Sequence, residues 1–283
     1  MGRALLLVLV LPGLLLAQDG LAACRRSAAA ATTLFVFDCG TVDIKDISVF
    51  SPGHDVGQPK TLVVPCYLVR HPRGLLLWDA GLPDSIAASP EGVQVSPNMR
   101  ASMRRTLAEQ LAEVGVAPDA IDYVAFSHMH FDHTGNANLF SSSTLLIQEE
   151  EYQAAFGPEA RRRGVNKLFA GLAGSETRRL RGELDVFGDG SVVLMPAPGH
   201  TPGHQVLFLR LARTGPVVLS GDLYHFKENR ERRLIPSFDT DPAVSLQSIE
   251  RIEALLVRTG AVLWIQHDPE QFAAIPHAPI PVE

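Results

Sequence analysis

Short apolar runs, several of them ended by turn-forming residues, recur along the chain and predict β-strands. Helical spacing is clearest in residues 107–114 and in the segment that Asp241 and Pro242 open, which is expected to reach about Thr259. Residues 149–156 resemble the start of a further helix. Because strands come early and late with helices between them, the order predicts an α/β fold. The predicted strands are residues 34–37, 62–70, 75–79, 123–126, 144–148, 191–195, 205–211, 216–219 and 261–266, and the segments expected to be loops or caps are 83–104, 155–185 and 224–240.

An apolar segment near the N-terminus, residues 4–16, follows the charged residue Arg3. Its length of about 13 residues is too short for a bilayer, which needs roughly 20 residues in a helix, but suits a signal-peptide core. Residues 1–27 are therefore predicted to be a signal peptide with a short linker, and residues 28–283 the folded domain. The protein is expected to be exported, and to be either periplasmic or secreted.

Two routes of processing are open for this leader. Ordinary cleavage near Ala17 or Ala23 is one route. The other is lipoprotein cleavage before Cys24, since residues 21–24 resemble a lipobox, although Asp19 between the apolar core and Cys24 counts against it. A lipidated Cys24 would be the means of membrane attachment, because the sequence has no other long apolar run.

The composition is that of a globular protein. Of 283 residues, 46% are hydrophobic and 20% are charged, with a net charge of −6, whereas disordered chains combine low hydrophobicity with high net charge. The acidic balance argues against a nucleic-acid partner, which favours a basic surface. Three cysteines are too few for a disulfide framework. Cys39 and Cys66 lie in predicted strand regions and could pair or remain buried thiols, of which buried thiols are favoured.

The densest polar cluster, residues 127–135, begins directly after a predicted strand and contains His128, His130, Asp132 and His133. Imidazole nitrogen and carboxylate oxygen are the ligands that zinc takes in hydrolytic sites. The one-residue spacing of His128 and His130 points both rings to the same side of an extended backbone. Asp132 and His133 then face a neighbouring position, so one segment can serve two metal ions.

Three later elements each add one candidate ligand. His200 lies among glycines and prolines in residues 198–204, and such a tight turn would hold its ring in place. The neighbouring His204 is expected to support this loop. Asp222 follows a strand and a glycine, so its two oxygens can bridge two cations. His267 ends the last predicted strand and is the final candidate.

These elements, in this order, resemble the metallo-β-lactamase superfamily, and the resemblance extends over residues 34–270. The fold that it implies is a four-layer αβ/βα sandwich with the metal site at one edge. It also implies two divalent metal ions, with zinc as the default for these ligands. The resemblance assigns His128, His130 and His200 to the first ion, Asp132, His133 and His267 to the second, Asp222 to a bridge between them, and Asp79 to the orientation of a ligand imidazole.

Within the superfamily, the bridging Asp222 and the Asp132 of the first motif are more similar to N-acyl-homoserine lactonases and hydroxyacylglutathione hydrolases than to most true metallo-β-lactamases. Residues 127–135 resemble the lactonase form. Lactonases of this group carry a tyrosine three residues after the bridging aspartate, which contacts the substrate carbonyl. Here Tyr224 is two residues after Asp222, and His225 occupies the third position. Either could make that contact, and Tyr224 is the predicted catalytic residue.

The resemblance implies hydrolysis of a small acylated substrate, an N-acyl-homoserine lactone. A hydroxide shared by two cations would attack the lactone carbonyl, because metal binding lowers the pKa of water. Asp132 would pass a proton to the leaving oxygen. The alternatives are a thioester, another lactone or a β-lactam hydrolysed on the same centre, and a non-catalytic metal-binding exported protein. Residues 271–283 contain no lysine or arginine, which disfavours a glutathione thioester.

Overall fold

Two β-sheets form the centre of the fold. In the described part of the chain, the strands are β1 (Thr33–Ile44), β2 (Lys60–His71), β3 (Gly74–Trp78), β4 (Val93–Ser96), β5 (Met99–Ser102), β6 (Tyr123–Ala125), β7 (Thr144–Gln148), β8 (Thr177–Leu180), β9 (Leu184–Asp185), β10 (Val192–Pro196), β11 (Gln205–Leu211), β12 (Gly215–Leu219) and β13 (Val262–Trp264). The first sheet has the order β4-β5-β1-β2-β3-β6-β7-β8, and the second has the order β13-β12-β11-β10-β9. From β3 to β8 the pairs are parallel, as is the β12–β13 pair, and the other pairs are antiparallel.

The structure is a computed structural model that describes residues 1–2 and 31–283, and Ala31–Glu283 form one compact unit. The predicted signal-peptide core, the lipobox and Cys24 lie outside the described residues. Cleavage, lipid attachment and the boundary between residues 27 and 28 therefore stay predictions. Within the described part, none of the helices combines the length and apolar character needed to cross a membrane.

Helices cover the outer faces of the sheets. Among the described residues they are α1 (Leu107–Glu113), α2 (Phe131–Thr134), α3 (Glu149–Phe156), α4 (Pro158–Arg163), α5 (Lys227–Arg232), α6 (Pro242–Thr259) and α7 (Pro269–Ala274). The longest, α6, begins as predicted: the carboxylate of Asp241 accepts hydrogen bonds from the amides of Ala243 and Val244. It ends at Gly260, whose left-handed backbone closes the last turn.

Apolar side chains divide the domain into four layers. Trp78 of the first sheet and Leu207 of the second lie in one buried cluster between the sheets. On the opposite face of the first sheet, a second cluster includes Leu111 of α1 and Phe156 of α3. Ile252 of α6 packs with the outer face of the second sheet. Since successive side chains of a strand point to opposite faces, each sheet can be buried on both sides. This confirms the predicted four-layer αβ/βα sandwich.

Segments expected to be loops contain some additional short elements. Strands β4 and β5 lie within residues 83–104, because the second half of β1 continues to Ile44 and pairs there with β5. Similarly, α4, β8 and β9 lie within or beside residues 155–185, and α5 lies within residues 224–240. Strands β4 and β8 lie at the two edges of the first sheet and are largely exposed. Their positions depend on pairing with a neighbour, which an apolar pattern does not reveal.

The two cysteines of the domain are joined by a disulfide bond between Cys39 of β1 and Cys66 of β2. The favoured expectation of two separate buried thiols is therefore wrong. Both residues are fully buried, as that expectation required, but their β-strands are antiparallel neighbours that pair Phe37 with Cys66. Cys39 lies in the register shift of β1 that follows Asp38, and its Cα atom is 5.9 Å from that of Cys66.

Candidate metal centre

The predicted ligands lie together at one edge of the sandwich. Strands β3, β6 and β7 are parallel in the first sheet, and β10, β12 and β13 run in a common direction in the second. Loops at the carboxyl ends of parallel strands meet at one edge. Two sets of ligand atoms are each contained within 4.8 Å, one from His128, His130, His200 and Asp222 and the other from Asp132, His133 and His267.

Asp222 lies between these two sets. Its Oδ2 atom is 3.6 Å from Nε2 of His128 and 3.4 Å from Nε2 of His200. Its Oδ1 atom is 3.2 Å from Nε2 of His133 and 3.1 Å from Nε2 of His267. Each carboxylate oxygen therefore faces one set, which is the arrangement expected of a bridging ligand.

The donors fit divalent metal ions. Nε2 of His133 and Oδ1 of Asp222 are buried and lack a hydrogen-bond partner among the described residues, although buried polar atoms are ordinarily paired. Imidazole nitrogens and carboxylate oxygens are ligands for zinc and other first-row metals. A metal ion in this cluster would satisfy both atoms.

Asp79 orients one of the imidazoles, as predicted. Its Oδ2 atom lies 2.9 Å from Nδ1 of His133, which leaves Nε2 of that ring facing the cluster. The other oxygen, Oδ1, accepts a hydrogen bond from the amide of Ser127. Asp79 has a left-handed backbone with φ of 56°, a conformation that is uncommon for a residue other than glycine. The turn after β3 is thus shaped to present this carboxylate.

Asp239 orients a second imidazole, and the sequence analysis missed it. Its Oδ1 atom is 2.8 Å from Nδ1 of His200, and its Oδ2 atom accepts a hydrogen bond from Ser245 of α6. Partners of this kind set the orientation and basicity of a metal-binding histidine. Asp239 is 39 positions from His200 in a segment expected to be a loop, so no spacing in the sequence links the two residues.

Glu151 and His204 support the loops that carry the ligands. The carboxylate of Glu151 accepts hydrogen bonds from the amides of Met129 and Gly203, which joins the first and second histidine motifs. Burial raises the pKa of Glu151. Nδ1 of His204 donates to a backbone carbonyl, and its Nε2 accepts from the amide of Asp222. His204 thus supports its loop, as expected, and Glu151 is a further residue that the sequence analysis missed because three successive glutamates looked only like a helix start.

Burial and charge shift the pKa values of the two ligand sets in different directions. Burial lowers the pKa of His128 well below its ordinary value and lowers that of His130 to about 4. The neutral imidazole is the form that binds a metal. Burial alone would raise the pKa of Asp222, but the surrounding histidines hold it well below its usual range. Conversely, burial would lower the pKa of His267, but the Asp222 carboxylate raises it.

A pocket of about 250 Å³ opens beside the ligands. Asp132, Asp222 and His267 line its polar end. The remainder of its wall is mostly apolar, and the residues that form it include Val42, Ile44, Phe50, Leu62, Met99, Phe131 and Phe238. Such a pocket, apolar with a few convergent polar groups at one end, is typical of a small-molecule site.

The structure does not bring Tyr224 to this pocket, so the predicted contact between Tyr224 and the substrate carbonyl has no support in the geometry. Its hydroxyl donates to Glu253 of α6, in a separate depression of about 900 Å³. His225 lines the metal-side pocket instead, with its Nε2 atom 3.1 Å from Oδ2 of Asp222. The backbone of Tyr224 is extended, and successive side chains of an extended chain point to opposite sides.

Replacing Asp239 should weaken metal binding. Asp239→Ala removes the acceptor beside Nδ1 of His200, and the affinity for zinc should fall by about 10- to 100-fold. Asp239→Asn retains an acceptor oxygen and is the matched control, for which we expect a smaller loss. Competition with a chromophoric chelator measures both affinities. Unchanged zinc affinity in folded Asp239→Ala would contradict the assigned role.

Comparisons with known proteins agree with this geometry. The family model of the metallo-beta-lactamase superfamily matches residues 59–267. N-acyl homoserine lactonase AttM of Azorhizobium caulinodans is 30% identical over 235 residues, which cover 79% of this chain and 88% of that protein. N-acyl homoserine lactonase AiiA of Bacillus thuringiensis subsp. kurstaki is 32% identical over 232 residues, which cover 79% and 87%.

Comparison with solved structures gives the same family. An N-acyl homoserine lactone hydrolase, with the product N-hexanoyl-L-homoserine bound at its catalytic metal centre, superposes with a TM-score of 0.77 at 29% identity. The superposition covers 89% of this chain and 99% of that one. Because the matched residues 59–267 contain all the histidine and aspartate motifs and most of the strands around them, the chain belongs to the metallo-β-lactamase superfamily, as the resemblance predicted.

Proposed function

We propose that this protein is an exported enzyme that opens the ring of N-acyl-homoserine lactones at a centre of two divalent metal ions. The observation that carries the proposal is the position of Asp222, whose two oxygens each face one set of ligands beside an apolar pocket. The chain that holds this arrangement is 30% and 32% identical to two N-acyl homoserine lactonases.

The proposed ions are two Zn²⁺, one held by His128, His130 and His200, the other by Asp132, His133 and His267, with Asp222 between them. Bound there, divalent ions lower the pKa of water towards ~7 and polarise a carbonyl oxygen. The contribution of the protein is to orient the imidazoles, for which Asp79 and Asp239 provide the hydrogen bonds.

Asp132 is the proposed carrier of the proton. Its Oδ2 atom is 3.7 Å from Nε2 of His267, and the side chain is 15% exposed at the pocket wall. It is thus the ligand carboxylate that retains access to a bound molecule. When the ring opens, Asp132 delivers a proton to the departing alkoxide oxygen, after taking one from the attacking water.

The apolar part of the pocket accommodates the acyl chain. Val42 and Ile44 of β1, Leu62 of β2 and the rings of Phe50 and Phe238 line it. With the lactone ring at the polar end, the acyl chain would extend among these side chains and remove apolar surface from water. This environment favours an acylated lactone over a polar substrate of similar size.

His225, rather than Tyr224, lies in the wall of the pocket beside the metal ligands. It is buried between the rings of Phe50 and Phe238, at centroid distances of 4.7 Å and 5.6 Å. Its Nδ1 atom has no hydrogen-bond partner among the described residues. Because Nε2 donates to Asp222, Nδ1 of the neutral ring is an acceptor, and we assign to it a hydrogen bond from the amide N–H of the substrate.

A panel of substrates tests the reaction. Zinc-loaded protein that lacks residues 1–27 should hydrolyse short- and long-chain N-acyl-homoserine lactones, followed by proton release. Asp222→Ala should lose at least about 100-fold of this turnover, because both ions share that carboxylate. Nitrocefin and a glutathione thioester are tested in parallel. Hydrolysis of either without lactone hydrolysis would reject the proposed substrate while retaining the metal centre.

Substitutions of the neighbouring residues His225 and Tyr224 test which of them contacts the substrate. His225→Ala should lower kcat/KM for the lactone by about 10-fold, the scale of losing one hydrogen bond to the substrate. Tyr224→Phe, its matched control, removes a hydroxyl that contacts Glu253 and should leave kcat/KM roughly unchanged. The reverse order of effects would restore the original assignment to Tyr224.

Export is supported by the apolar run in residues 4–16 and by the disulfide, since disulfides persist in oxidising compartments. In a bacterial host, the full chain should be processed and appear outside the cytoplasm. Immunoblotting of cell fractions measures this, with a chain that lacks residues 1–27 as the cytoplasmic control. Cys24→Ser distinguishes the two routes, because it should block processing only if cleavage precedes a lipidated Cys24. An unprocessed full chain in the cytoplasm would contradict export.

A further inference from the structure

The disulfide between Cys39 and Cys66 lies directly against the turn that follows β3. A Cβ atom at Gly81 would be 2.3 Å from Cβ of Cys39 and 2.8 Å from Sγ of Cys66, so the turn and the disulfide are in contact without space for a side chain. Gly81 also has φ of +61°, which favours glycine at this position. The amide of Leu82 donates to the carbonyl of Cys39.

That turn, residues 79–82, holds the segment that carries two ligands of the second set. The amide of Ala80 donates to the carbonyl of His133 over 2.7 Å, and the carbonyl of Gly81 accepts from Gly135 over 2.7 Å. The side chain of Asn136 donates to the carbonyls of Ala80 and Leu82. Together with the Asp79–His133 contact, these bonds attach the C-terminal end of α2, directly after Asp132, to the turn.

The other side of the disulfide holds the third ligand of this set. Nδ1 of His267 donates to the carbonyl of Val63 over 2.7 Å. Gln266 donates to the carbonyl of Pro65, the residue before Cys66. Thus β2 presents two carbonyls, those of Val63 and Pro65, to the segment with His267. All three ligands of the second set are therefore held by backbone that contacts or adjoins the disulfide.

Two ligands of the first set, His200 and Asp222, are held from elsewhere, whereas His128 contacts Ser127, which Asp79 also holds. His200 is held by Asp239, which is held by Ser245 of α6. The amide of Asp222 donates to His204, in the loop between β10 and β11. These contacts belong to the second sheet and its helix, whereas the disulfide lies in the first sheet.

We propose that the Cys39–Cys66 disulfide is a positioning element of the metal centre, which selectively sustains affinity for the ion held by Asp132, His133 and His267. The proposal rests on the two-ion centre of the proposed function. The bond joins β1 to β2 beneath the turn. It thereby fixes the distance between the turn, which holds α2, and β2, which holds His267. Without the bond, the turn and β2 would be less ordered relative to each other. Part of the free energy of metal binding would then be needed to order them.

Metal titration of the full chain tests this directly, with Co²⁺ as the probe. The double substitution Cys39→Ala with Cys66→Val removes the bond and replaces part of its volume with apolar atoms. Co²⁺ at the second set of ligands should bind about 10- to 100-fold more weakly, as when a supporting contact of a ligand is lost, and Co²⁺ at the first set should bind as in the wild type. Chelator competition gives both affinities, and the visible spectrum of Co²⁺ distinguishes the two environments.

Reference variants assign the spectra. Asp79→Asn should alter the signal of the second set, and Asp239→Ala that of the first. Leu145→Ala is the control for general destabilisation, because Leu145 is fully buried on β7, three strands from β2 in the first sheet. If the double variant does not fold, wild-type chain refolded with both thiols kept reduced tests the same bond.

Selective weakening of the signal that Asp79→Asn alters would support the proposal. It is overturned if both equivalents keep their affinities, or if both weaken to the same extent as in Leu145→Ala. Because these readouts involve no substrate, their outcome is independent of which ester or amide is hydrolysed. Failure to hydrolyse lactones with both ions bound normally would count against the proposed function alone.

Discussion

A buried carboxylate shared by two sets of imidazoles is the constraint on which the site depends. Asp222 is 5% exposed, and its Oδ1 atom has no hydrogen-bond partner among the described residues. Burying an ionised carboxylate without compensation is costly, so the histidines around it must lie close enough to keep it charged. Burial lowers the pKa of His128, whereas the Asp222 carboxylate raises that of His267. Two bound cations would complete the charge balance around Asp222. The ligands from both sheets must therefore be positioned together, because each affects the charge of the others.

The sandwich can bring these ligands together because strands of both sheets end at the same edge. Gln205, at the start of β11, connects the sheets: its amide donates to the carbonyl of Ser127, and its side chain donates to the carbonyl of Phe126. The loop with His200 is closed from outside by α6, and a Cβ atom at Gly199 would be 2.3 Å from the amide of Ser245. Close packing of this kind leaves the ligands little freedom, which is what a centre with fixed coordination geometry requires.

The histidine-rich run could be predicted because its ligands lie within six residues, directly after a strand, where chemistry and spacing are visible together. His200, Asp222 and His267 could be placed for a similar reason, since each follows an apolar run. Asp239 and the disulfide could not, because their partners are set by tertiary packing across separations of 39 and 27 positions. The choice between Tyr224 and His225 depended on one backbone conformation. An extended Tyr224 after the turn at residues 221–223 directs successive side chains to opposite sides, and no composition or spacing determines that.

The position of the disulfide is explained better by the metal site than by the stability of the whole domain. A domain of about 250 residues buries roughly three quarters of its chain surface and needs no covalent support, and the apolar clusters here are extensive. The bond nevertheless occupies the position where β1, β2 and the turn with Asp79 meet. That turn contains a non-glycine residue with a left-handed backbone, a conformation that persists only where the surroundings impose it. The disulfide is a rigid contact beneath the turn and helps to impose this conformation. The cross-link therefore lies where backbone geometry and ligand orientation are coupled most directly.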